Sequence, residues 1–113
     1  MTTIEPRRMK GSADAASGLF SILANPKRLM ILCCLADGEA SVGDLAAFCG
    51  SAQSGVSQHL ALLRSNGIVE TRREAQTIFY RLTSAPARAI IEAAYEVFCR
   101  RGAGRAAKPR PKQ

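Results

Sequence analysis

A chain of 113 residues supports one domain, and 47% hydrophobic content is ordinary for a compact fold. No apolar run approaches the ~18 residues that span a bilayer, and Met1 to Lys10 lacks the hydrophobic segment of a signal peptide. The expectation is a cytoplasmic protein with no membrane partner. The net charge of +7 raises nucleic acid as a partner, but residues 1–12 carry +2 and residues 100–113 carry +6, leaving −1 for the body. Basic ends attract phosphate without reading sequence, so charge alone does not establish specific DNA binding. Within the body the positive excess falls on residues 51–82, where Arg64, Arg72, Arg73 and Arg81 stand against Glu70 and Glu74. Residues 1–12 read as a flexible basic arm, 13–101 as the folded domain, and 102–113 as a disordered tail of Ala, Lys, Arg and Pro.

Taken in chain order, Ala16, Leu19, Phe20 and Leu23 recur at helical spacing and predict an amphipathic helix from Ser12 to Ala24. Asn25 is a good N-cap and Pro26 suits the first turn of a second helix, Pro26 to Asp37. That helix is apolar nearly all round, as a centrally packed helix is. Gly38 stops it. Ser41, with Asp44 three residues on, predicts a capped short helix ending near Cys49, and Gly50 suits the left-handed turn after it. A further helix from Ala52 to about Asn66 buries Val56, Leu60 and Leu63 and turns Gln53, Ser54, Ser57, Gln58 and Arg64 outward. Two short helices about a tight Gly-containing turn, the second polar outside, make a helix-turn-helix.

Residues 68–73 and 77–82 alternate in hydropathy and predict a hairpin, the wing, although Glu74-Ala75-Gln76 lacks the usual Asn-Gly turn signal. A last helix, capped by Ser84, runs from Ala85 to about Arg101. The fold class is therefore mainly α with a small β-hairpin, a winged helix-turn-helix of order α-α-α-α-β-β-α. The apolar stripes of the first and last helices, Leu19, Phe20 and Leu23 with Ile90, Ile91, Ala94, Val97 and Phe98, exceed what so small a core covers. A homodimer interface is the expected sink. Dimerisation also sets two reading helices about one turn of B-DNA apart, ~34 Å, on a palindromic site.

The outward residues of the reading helix are the candidates for base contact. Gln pairs bidentately with adenine, and Ser meets a base edge or a phosphate. Gly55 costs about 1 kcal/mol relative to Ala inside a helix, which points to close approach of DNA. His59 fits either a phosphate contact or a local hydrogen bond. Arg72 and Arg73, with Gln76 and Thr77, suit phosphate or minor-groove contact from the wing.

The runs Leu23-Ala24-Asn25-Pro26-Lys27-Arg28-Leu29-Met30-Ile31-Leu32, Ser54-Gly55-Val56-Ser57-Gln58-His59-Leu60 and Arg72-Arg73-Glu74-Ala75-Gln76-Thr77-Ile78-Phe79-Tyr80 resemble the arsenic-repressor (ArsR) family over roughly residues 14–99. The resemblance implies a homodimeric winged helix-turn-helix repressor that leaves its operator when an inducer binds. Metal sensors of the family place thiolates in the first turn of the helix before the reading helix, or His and carboxylates on the last helix. Here those places read Ser41-Val42-Gly43 and, on the last helix, only Glu92 and Glu96. No metal or other cofactor is expected. The positions of Cys33 and Cys99 are similar to the cysteine pair of the branch that senses persulfides and other oxidants, where the two form a di- or polysulfide bridge within one subunit. By that resemblance Cys33 and Cys99 are a redox switch and the inducer is a reactive sulfur species or oxidant.

On position alone Cys33 also reads as a small hydrophobe in an apolar helix. Cys34 and Cys49 read as packing residues, since nothing in the sequence pairs them. The alternatives are a metal-responsive, small-molecule-responsive or constitutive repressor, a thiol enzyme using Cys99, and nonspecific DNA packaging through the basic ends. The enzyme is disfavoured because no Cys-x-x-Cys, His/Cys pairing or thiol at a helix start is present, and no catalytic residue is assigned.

Overall fold

Helix stop signals in the sequence become caps in the structure, a computed structural model that describes residues 3–101. A short α1 (Pro6–Met9) precedes α2 (Ala13–Leu23) and α3 (Pro26–Asp37). Asn25 caps α3, its side-chain oxygen accepting from the Arg28 N–H at 3.0 Å, and Pro26 fills the first turn where its missing N–H costs nothing. A two-residue strand, β1 (Ala40–Ser41), leads into α4 (Val42–Cys49), capped by the Ser41 hydroxyl accepting from the Asp44 N–H at 3.1 Å. Gly50 closes α4 with φ +63°, a left-handed conformation that side chains resist. The reading helix α5 (Gln53–Ser65) follows, then β2 (Val69–Glu74), β3 (Thr77–Leu82) and α6 (Ala85–Tyr95), the last capped by Ser84.

The core lies where α3, α4, α5, α6 and the base of the hairpin converge. Leu32, Leu45, Leu60 and Leu63 are fully enclosed, with Ile31, Leu35, Val56, Val69 and Ile91 nearly so. Each such aliphatic side chain stabilises the fold by about 1.5–3 kcal/mol. The apolar α3 is thus central, as its all-round hydrophobicity predicts. It fixes α4 and α5 on one side and α6 on the other.

Four features differ from expectation. The hairpin is part of a three-stranded antiparallel sheet of order β1-β3-β2, because Ala40 and Ser41 pair with Tyr80 and Phe79. The wing turns in two residues, Ala75 and Gln76, since Glu74 pairs with Thr77, and Ala75 takes φ +56° where glycine is favoured. The last helix does not run evenly to Arg101. From Glu96 to Arg101 it widens to π-helical bonding, which shifts the side chains there off the α-helical face. Finally, the arm read as flexible contains the helical turn α1. The expected disordered tail, 102–113, lies outside the described residues.

Candidate nucleic-acid interface and thiol pair

The amphipathic pattern of α5 drives its inner stripe into the core and leaves Gln53, Ser54, Gly55, Ser57, Gln58 and Arg64 exposed, with His59 half-buried. They share one helix and one surface. A Cβ built on Gly55 would meet no atom within 4 Å, so nothing inside the subunit demands glycine there. No side chain caps α5, which leaves its first amides without side-chain partners. Gln53 lies across the start of α4, its Nε2 3.7 Å from where a Gly43 Cβ would stand.

On the wing, Arg73, Gln76 and Thr77 are exposed, and Arg73 makes only a long contact to the Ala75 carbonyl, 3.5 Å. Arg72 is different. Its guanidinium donates to Glu39 from Nε at 3.0 Å and from Nη2, to Glu74 at 2.7 Å, and stands 4.9 Å over the Phe79 ring. The hydrogen bond from Arg72 holds the Glu39 carboxyl below its usual range, and both carboxylates push Arg72 further up. Arg72, expected to meet phosphate or the minor groove, is tied through Glu39 to the loop before β1. Sequence could not reveal this, since Glu39 is 33 residues away.

Cys33 lies on α3 and Cys99 on the π-helical end of the last helix. Cys33 is half-buried and lines a cavity of about 530 Å³ with Asp37, Ile91, Glu92, Tyr95 and Arg100. Cys99 is exposed, on the π-helical segment. Burial pushes the Cys33 thiol above the usual value, and the charges of Cys99 and then Cys34 push it further. The cavity is bounded on the π-helical segment by Arg100, which lies 5.4 Å from the Tyr95 ring centre and 3.3 Å from Glu96. Cys34, adjacent in sequence, faces elsewhere. Burial raises its pKa, followed by the charge of Cys49, so the two cysteines that sequence leaves unpaired are electrostatic neighbours across α3 and α4. Among the described residues no group of three or more His, Cys, Asp or Glu could hold a metal ion.

The expected dimer face is partly corrected. Leu23, 6% exposed, and Ile91, 2% exposed, are enclosed within the subunit's own core and have little surface to offer a partner. Phe20, Val97 and Phe98 remain open, Phe98 at 75%, with Leu19, Ile90 and Ala94 half-buried beside them.

A capped helix-turn-helix with a polar outer face, a wing beside it and an uncovered apolar face on the flanking helices define a winged helix-turn-helix transcriptional regulator that binds DNA. The profile of the arsR family of bacterial regulatory proteins matches residues 25–71. The transcriptional activator HlyU of Vibrio cholerae is 45% identical over 93 residues, 82% of this chain and 86% of that protein. The chain belongs to the arsR family, a family of transcriptional regulators and not of enzymes. The structure described as reduced HlyU superposes with a TM-score of 0.77, covering 82% of this chain and 98% of that one. The crystal structure of the transcriptional repressor BigR from Xylella fastidiosa, 44% identical, reaches 0.81 over 85% of this chain and 98% of that one. The homodimeric winged helix-turn-helix domain of Mb0332 from Mycobacterium bovis, 29% identical, reaches 0.71 over 92% and 95%.

Proposed function

We propose that this protein is a homodimeric repressor that holds a palindromic operator when its thiols are reduced and releases it when a reactive sulfur species or another oxidant links Cys33 to Cys99. The observation that carries the reading is the position of Cys33, which lines a cavity bounded by Tyr95, Glu96 and Arg100 at the end of the last helix, the segment that also bears the exposed Cys99. Two comparisons support it: HlyU has a structure described as reduced, and BigR is described as a repressor.

The roles of the two thiols follow from exposure. Cys99, in contact with solvent, attacks first: its thiolate takes the outer sulfur of a hydropersulfide RSSH, giving Cys99–S–SH and releasing RS⁻. Half-buried Cys33 then attacks the Cys99 sulfur, forming the Cys33–Cys99 disulfide and expelling HS⁻. Two thiols are oxidised by two electrons and one persulfide sulfur is reduced to sulfide, while further sulfur equivalents lengthen the bridge. The bond draws the end of α6 toward α3. Because that end carries Val97 and Phe98 on the dimer face, the change alters the separation of the two reading helices, which must match one DNA turn, ~34 Å.

On DNA, Gln53, Ser54, Ser57 and Gln58 read base edges, Gly55 lets the backbone approach, and Arg64, Arg73, Gln76 and Thr77 meet phosphate or the minor groove. The dimer face comprises Leu19, Phe20, Ile90, Ala94, Val97 and Phe98. A titration of upstream DNA of its own gene at stated salt, reduced and polysulfide-treated, tests the switch. Affinity falls on treatment, Cys33→Ser stays bound, and intact mass shows loss of two hydrogens with or without added sulfur. Equal dissociation of the Ser variant would place the switch elsewhere.

A further inference from the structure

Beside the start of α5 lies a second, smaller cleft, about 280 Å³, lined by Lys27, Cys49, Ser51, Gly55 and His59 among others. Three elements meet there: the N-terminal part of α3, the turn between α4 and α5, and the side of α5 that carries Gly55, Val56 and His59. Lys27 and Arg28 are consecutive but differ in use. The Arg28 guanidinium turns inward and donates from Nε to the Ile22 carbonyl at 2.7 Å, joining α2 to α3. Lys27 is exposed, and its Nζ donates to the Ser51 hydroxyl at 2.6 Å across 24 residues of sequence. Among the described residues the ion pairs involve Arg72, Arg81 and Arg100, and none includes Lys27. Between residues 13 and 50 the acids Asp14, Asp37, Glu39 and Asp44 outnumber the two bases, Lys27 and Arg28, of which Lys27 is the exposed one.

We infer that the Lys27–Ser51 pair, with His59 beside it, receives one phosphate of the DNA backbone flanking the groove that α5 enters, making the start of α3 a third DNA-contacting element after α5 and the wing. The donor count fits. Lys27 gives one N–H to Ser51 and keeps two, while the Ser51 hydroxyl, having accepted from Lys27, donates at 3.5 Å to the Cys49 carbonyl, so the free donors are the two on Lys27. Gly55 lines the same cleft, and a Cβ there would stand in open space, so the cleft lies open beside the reading helix.

The inference rests on the DNA-reading surface above, and its test keeps the two apart. Full-length wild type, Lys27→Gln, Lys27→Arg and Gln53→Ala are titrated on operator and on scrambled duplex across a salt series. Lys27→Gln is expected to weaken both duplexes alike, by about tenfold at low salt, and to flatten the dependence of log affinity on log salt by about two, one for each subunit of the dimer. Lys27→Arg restores both, because it keeps the charge and the donors. An operator carrying a neutral methylphosphonate at the contacted position of each half-site should erase the difference between wild type and Lys27→Gln. Gln53→Ala should weaken the operator alone. An unchanged salt slope in Lys27→Gln, with wild type still preferring its operator, overturns the phosphate contact. Wild type without operator preference overturns the reading surface instead.

Discussion

Helices α5 and α6 are built from the same pattern, an apolar stripe facing the core and a second face left open, yet the open faces are opposite in kind. On α5 the exposed residues are Gln53, Ser54, Ser57 and Gln58, while Val56, Leu60 and Leu63 are at most 2% exposed. On α6 and its π-helical extension the exposed residues include Tyr95, Val97 and Phe98. A polar face that hydrogen-bonds in two directions suits a groove edged with donors and acceptors, whereas an apolar face of this kind gains by leaving water against another protein surface. The composition of an open helix face thus indicates what covers it. The central α3 touches both helices, so a change at the α6 end can reach α5.

The strongest break of this comparison is to make the apolar face polar. Phe98→Asp should dissociate the dimer in sedimentation and lower operator affinity by about a hundredfold or more, since two linked half-sites become independent. The subunit fold, read by circular dichroism, should remain, because Phe98 lies outside the core. On the other helix, Gly55→Ala should raise thermal stability by about 1 kcal/mol, as an exposed helix-interior glycine is replaced with nothing to clash. DNA binding should weaken in the same variant. A loss of stability, or unaltered binding, would end the argument that DNA approaches that backbone.

Smaller effects sharpen the α6 side. A Cys99 thiolate opposes a second negative charge at Cys33, so Cys99→Ser should move the pH midpoint of Cys33 alkylation downward. Burial remains in that variant, so the midpoint should stay above that of an ordinary thiol. Iodoacetamide trapping followed by mass spectrometry reads both shifts, and an unmoved midpoint would separate the two thiols. The smallest effect concerns the wing. Glu39 has a lowered folded pKa through its hydrogen bond from Arg72, so its contribution is present above the ordinary glutamate value and lost as pH falls through the lowered one. Glu39→Gln should therefore melt below wild type at neutral pH, with the gap closing in acid. Both side chains are solvent-exposed, which keeps the difference small.

How far the molecule is legible in its sequence depends on the range of the interaction concerned. Caps are local: Asn25, Ser41 and Ser84 act on an amide three residues ahead, and each is placed as its sequence context predicts. The reading surface is almost as legible, because a helix period maps sequence directly onto a face. The wing tip was less so, since the strand pairing forces Ala75 into a conformation that its residue type does not announce. Strand β1 had no signal at all. Two residues become a strand only because Tyr80 and Phe79 lie alongside them.

The sequence by itself determined the capped starts of α3, α4 and the last helix, the polar face of α5, the wing, and through its motifs the membership in a family of DNA-binding regulators. Tertiary structure decided which apolar residues stay open, enclosing Leu23 and Ile91 while leaving Phe98 in water. It also bound Arg72 to Glu39 while leaving Lys27 with no carboxylate partner among the described residues, and set Cys33 on a cavity against the last helix, which Cys34 does not line. The physical reason is common to all three. Periodicity fixes the direction a side chain leaves its own element, but its surroundings are set by elements tens of residues away, whose positions follow from packing the whole core.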